Sequence, residues 1–253
     1  MIRLTKRQKF IFLSVGLTFF LWLAPSALPR LAFLPLSLAL TFLTTLYALG
    51  FDLRFPEHLI FPIYPTLLVV AAWLHRPATS DFSFFIIIYI FSIFFTIYLL
   101  FLTLNILNIA TVRTVPLKKA ALSTFYFLGL IIGFFSIRGI LALHPSSFLF
   151  AVFFLLLSCL LTVPLVYVIQ PRPKLKIFEI TIISLLSTEI ALVTSFLKVS
   201  PIVLSIFLTA ILFLLVDDLQ HCVKRTLTKR ILVEHIVVGI VFVAFLVISI
   251  SFF

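Results

Sequence analysis

From about residue 10 to its end, this chain is a succession of apolar runs, most about as long as a bilayer is thick, separated by short polar breaks. A helix needs about 20 mainly apolar residues to cross the hydrocarbon layer. No other feature constrains the fold as strongly. A segment in lipid must satisfy its backbone hydrogen bonds internally, which leaves helices or a closed barrel. Barrel strands alternate apolar and polar residues, and these runs do not alternate. We therefore expect an all-α, polytopic transmembrane bundle of about nine spans, at roughly 10–24, 31–49, 58–74, 82–104, 120–142, 147–169, 177–197, 200–216 and 236–253. The connections are too short to hold a soluble domain, so residues 1–253 read as a single integral membrane domain. Composition agrees: 63% of residues are hydrophobic and 11% charged, against about 25% charged in soluble domains.

The charges set the orientation. Of the 19 Lys and Arg residues, Arg30, Arg76, Arg138 and Lys198 fall on one side of the expected membrane and all the others on the opposite side. The positive-inside rule places the rich side in the cytoplasm. The N-terminus is then inside, the C-terminus outside, and the cell membrane the expected location. The same argument retains the third span, which is short and carries Pro62 and Pro65: without it, the basic breaks after it would change sides. Arg3, Lys6, Arg7 and Lys9 ahead of the first run resemble the start of a signal peptide, but Pro25 spoils the cleavage end, so an uncleaved first helix is expected.

The formal net charge of +11 does not indicate nucleic acid, because the cations are dispersed between apolar runs and form no stripe. Cys159 lies inside an apolar run and Cys222 in a basic break, so neither reads as a disulfide partner or as half of a metal site. The 32 Phe residues read as lipid-facing bulk. We find no internal repeat, and nine spans do not divide into two equal halves as repeat-built transporters do. No cofactor motif is present.

A few polar residues need a reason. Glu189 falls about 12 residues, roughly 18 Å, into the seventh span. A carboxylate at such depth costs several kcal/mol unless paired, protonated or hydrated. Its helical neighbours are Phe178, Ile182, Leu185, Leu186, Val193 and Phe196, while Thr181, Ser184, Ser187, Thr188, Ala191, Thr194 and Ser195 line the opposite side. Two faces unsuited to lipid imply a central helix with Glu189 enclosed. Glu179, near the cytoplasmic end of that span, reads as interfacial. Arg138 lies about 18 residues, roughly 27 Å, into the fifth span. It either snorkels to the headgroups or reaches about 9 Å in depth to pair with Glu189.

Gly129, Gly133 and Ser136 share a face, and small residues at this spacing let helices approach closely. Glu57 and His58 open the irregular third span, whose two prolines remove backbone hydrogen bonds; transporters use such broken helices as binding sites. Asp217, Asp218 and His221 end the eighth span at i,i+4 and i,i+3 spacing. They are weak metal candidates, with boundary charge balanced by Lys224 and Arg225 as the plainer reading. Asn105 and Asn108 near the inner end of the fourth span read as caps or interhelical bonds.

Three functions remain open: a non-catalytic membrane component such as a subunit or scaffold; a carrier or channel using Glu189, Arg138, Glu57 and His58; and an intramembrane enzyme acting on lipid or lipid-linked substrates. Intramembrane polar groups are scarce, which ranks the component first. Its expected partners are the lipid bilayer and other membrane proteins.

Overall fold

The computed structural model describes residues 5–27, 30–50, 53, 56–75, 84–112, 116–169, 177–223 and 228–251, and among them there is helix and turn but no strand. In chain order the helices are α1 (Lys6–Ala27), α2 (Arg30–Leu49), α3 (Glu57–Ile60), α4 (Ile63–Leu74), α5 (Phe84–Val112), α6 (Lys118–Ala142), α7 (Ser147–Ile169), α8 (Ile177–Thr194), α9 (Pro201–Val223) and α10 (Lys229–Ser251). The expected breaks at Asp52 and Arg54, Arg76-Pro77, Arg113, 170–176 and Lys224-Arg225 lie outside the described residues, as does Arg3.

By length and composition, seven segments among the described residues are able to cross a membrane: Glu57–Leu74, Ile86–Ala110, Lys118–Ala142, Ser147–Val168, Ile177–Thr194, Pro201–Cys222 and Lys229–Ser249. The first two expected spans correspond to α1 and α2 and fall short of that measure. Lys6, Arg7 and Lys9 dilute the first, and the described apolar part of the second is only Phe33–Leu49.

Local sequence starts and stops these helices. Thr5 and Gln8 form a capping box at α1: the Thr5 backbone N–H donates to Gln8 Oε1 (2.9 Å) and the Gln8 N–H to Thr5 Oγ1 (3.4 Å). Ser200 and Thr228 accept the Val203 and Ile231 N–H groups at α9 and α10. Gly50, at φ +93°, ends α2 in the left-handed conformation open to glycine.

Several helices outrun the apolar runs that encode them. α5 continues to Val112, so Asn105 and Asn108 lie within a helix and are not caps. α9 continues to Val223 and α10 begins at Lys229, so Asp217, Asp218, His221 and His235 are helical. The physical reason is that hydropathy marks where lipid ends. A helix satisfies its own backbone in water too and has no need to stop there.

The chain divides into two compact units, Met1–Ile132 and Gly133–Phe253, with the boundary inside α6. In the first, α1, α2, α4 and α5 pack on one another. Phe20 stacks on Phe33 at 5.9 Å, Phe10 meets Phe101 at 6.2 Å, and Lys9 lies 4.3 Å above the Tyr47 ring. Tyr64 of α4 is fully buried and stacks on Phe125 of α6 at 4.6 Å. The Tyr89 hydroxyl of α5 donates to the Ala72 carbonyl of α4.

In the second unit α7 packs on α8 and α9, α8 on α9, and α9 on α10. Its core is rich in small hydroxyl residues: Ser158 and Thr162 on α7, Ser184, Ser187 and Thr194 on α8, Ser205 and Thr209 on α9, all buried. Most bond to a carbonyl one turn back; Thr209, for example, donates to Ser205 at 2.7 Å. Their small size lets backbones approach, the main source of helix cohesion where lipid removes the hydrophobic drive.

Candidate functional site

The densest group of ionisable side chains joins α9 to α10. Asp217, Asp218 and His221 occupy the last two turns of α9. Asp218 lies five residues before the end of α9 at Val223, and His235 six residues after the start of α10 at Lys229. Where two consecutive helices pack side by side, positions at similar distances from their facing ends meet. His235 therefore enters between the two carboxylates: its Nδ1 meets Asp218 Oδ1, and its Nε2 lies 3.2 Å from Asp217 Oδ2. His221 Nε2 stands 3.8 Å from that same Asp217 oxygen, with the two imidazole centroids 6.2 Å apart.

The donor count fixes the chemistry. A neutral imidazole carries one N–H, so its other nitrogen would turn a lone pair toward a carboxylate. Carboxylates at both nitrogens favour the doubly protonated ring over either neutral tautomer. Asp217, Asp218 and His221 are half-exposed, so solvent screens the group. One turn away, the Arg230 Nε donates to Glu234 Oε1 at 2.9 Å on an exposed surface.

The metal candidates Asp217, Asp218 and His221 do not converge on a common point. Among the described residues no three His, Cys, Asp or Glu side chains are arranged to hold an ion. The reason is local: the space between the carboxylates is filled by the His235 ring.

Glu189 departs from expectation. Only one side of α8 is packed, through Ser184, Ser187, Ala191 and Thr194. Glu189 is exposed, together with Phe178, Ile182, Leu185, Leu186, Val193 and Phe196. The small hydroxyl face permits close approach to α7 and α9, whereas the bulky face suits lipid everywhere but at Glu189. α8 ends at Thr194, which leaves Glu189 five residues, about 8 Å, from that end. Arg138 is half-buried on α6, four residues, about 6 Å, from the end at Ala142. Neither side chain bonds to a described residue.

In the first unit Glu57 is buried at the start of α3 and engaged with its surroundings, and His58 beside it is half-buried and also engaged. The third span is indeed interrupted, at Phe61-Pro62. Pro62 has no N–H to continue α3, and Pro65 falls in the first turn of α4, where that donor is not needed. Gly129, Gly133 and Ser136 are buried. A Cβ on Gly133 would stand 3.4 Å from Leu161 Cδ1 of α7 and 3.4 Å from Thr209 Cγ2 of α9, so α6 meets both helices at Gly133.

Sequence spacing singled out Asp217, Asp218 and His221 but missed His235. The signal that finds it is the similar distance, five and six residues, of Asp218 and His235 from the facing ends of α9 and α10. Compared with models of protein families, with curated proteins and with solved structures, the chain matches none.

Proposed function

We propose that this chain is a non-catalytic component of the cell membrane, a subunit or scaffold of nine spans with its N-terminus inside and its C-terminus outside, in contact with lipid and other membrane proteins. What supports this is the use of its polar side chains. His235 joins α9 to α10 through Asp217 and Asp218, and the buried hydroxyls of α7, α8 and α9 line helix contacts. These groups hold helices together.

A carrier is the second reading, favoured by one observation: buried Glu57 stands at the head of an interrupted span. Purified chain in vesicles holding a pH-sensitive dye separates the two. A component relaxes an imposed proton gradient no faster than protein-free vesicles do. Relaxation accelerated by the wild type and abolished by Glu57→Gln or Glu189→Gln would establish the carrier instead. In blue native gels of the source membrane, a component migrates in an assembly heavier than the purified chain. For the topology, reporters fused after Lys119, Lys176 and Arg230 should report cytoplasm and one after Phe253 the outside; any of the three internal fusions reporting outside breaks the nine-span arrangement.

A further inference from the structure

We infer that the exposed face of α8 binds a second copy of this chain, with Glu189 of one copy paired to Arg138 of the other. The inference rests on the component reading and names its partner. Glu189 stands alone on a face of six large apolar residues, all exposed. Lipid suits those six and cannot solvate the carboxylate. The opposite side of α8 is already committed to α7 and α9 through Ser184, Ser187 and Ala191. The missing partner must therefore come to the exposed side and bring a cation or strong donor.

The chain carries such a group at the matching depth. Measured from the starts of α6 at Lys118 and α8 at Ile177, Arg138 and Glu189 differ in depth by about 12 Å. Measured from the opposite ends, which carry the α6–α7 and α8–α9 turns, they lie about 6 and 8 Å in. Consecutive crossing helices alternate direction, so both turns are on one side of the membrane. The earlier mismatch arises because α6 has 25 residues and α8 has 18, and the surplus is at the cytoplasmic end. Two copies in one bilayer share a membrane normal, so side chains at equal depth can meet. Arg138 is half-buried, bonds to no described residue, and stands near the exposed Phe135 of α6. An arginine–carboxylate pair shielded from water is far stronger than one at an aqueous surface.

Two differently tagged copies, co-expressed and purified through one tag in mild detergent, test this. Wild-type chains co-purify. Arg138→Glu alone, or Glu189→Arg alone, in both copies lowers recovery of the second tag about tenfold or more. Arg138→Glu in one copy with Glu189→Arg in the other restores it, because each contact then joins opposite charges. Pairing within one chain gives no such rescue and overturns the inference, as does a monomeric wild type or undiminished association of the single variants. Should the reversed charges prevent accumulation, Arg138→Cys with Glu189→Cys, in a chain carrying Cys159→Ser and Cys222→Ser, decides the matter. A bifunctional maleimide of about 10 Å span, added to the membrane to alkylate both thiols, yields a covalent dimer, and monomer alone overturns the inference. A monomer that moves no protons defeats only the pairing; proton flux defeats the component reading itself.

Discussion

The segment Glu57–Leu74 is the least apolar of the seven crossing-length segments and Lys229–Ser249 the most apolar, yet protein buries 61% of the first and 6% of the second. In a water-soluble protein the order would be reversed, because burial there follows apolar surface. In a bilayer the acyl chains are as apolar as leucine, so an apolar helix gains little by moving from lipid to protein. The helices that need protein are those lipid serves badly. Pro62 and Pro65 deprive the carbonyls of His58 and Phe61 of their usual donors, and Glu57 and Tyr64 add polar groups. Such backbone is tolerated at membrane depth only under protein cover. α10 has no proline, is rich in Val and Ile, and packs on α9 alone among the helix pairs with substantial contact.

Truncation should separate the two helices most. Tyr64→Ala removes a fully buried ring stacked on Phe125, and loss of a buried aromatic costs about 3–5 kcal/mol in packed cores. Ile240→Ala, on an exposed part of α10, should stay within about 0.5 kcal/mol. Thermal unfolding in detergent measures both, and equal losses would erase the contrast. Added bulk comes next. Ala71→Leu on buried α4 should cost about 1–3 kcal/mol, as should Gly133→Leu against Leu161 and Thr209, whereas Val241→Leu on α10 should be silent. Wild-type stability for Gly133→Leu would mean that its face is not packed. The smallest effect belongs to the clasp. His235→Ala should lower overall stability by about 1 kcal/mol or less, since its partners are half-exposed. It should still raise amide hydrogen exchange in the first turns of α10 while leaving α4 unchanged; unaltered exchange there would show that the clasp does not hold α10.

Helical class and the seven crossing segments were legible because run length and composition decide them. The interruption at Pro62 was legible too, from proline alone. Helix ends were not. Asp217 looked like the end of a span because charge marks the edge of lipid, while α9 runs on to Val223. That error hid the site: without the true ends of α9 and α10, nothing aligns His235 with Asp218, 17 residues away. The hydroxyl stripe of α8 was read correctly as a packing face, but the opposite face was not, since one carboxylate among six large apolar residues does not oblige the same chain to enclose it.

The continuation of α9 past its apolar run has a mechanical consequence. Asp217 to Val223 add two turns, about 10 Å, to a helix whose remainder is apolar, and the first turns of α10 run alongside, tied on by His235. No break interrupts α9 between its apolar run and its charged last turns, or α10 between its charged first turns and its apolar run. Each helix is therefore continuous between its charged turns and its apolar run. A displacement of the charged end of α9 would be carried along a continuous helix to its hydroxyl-lined contacts with α7 and α8.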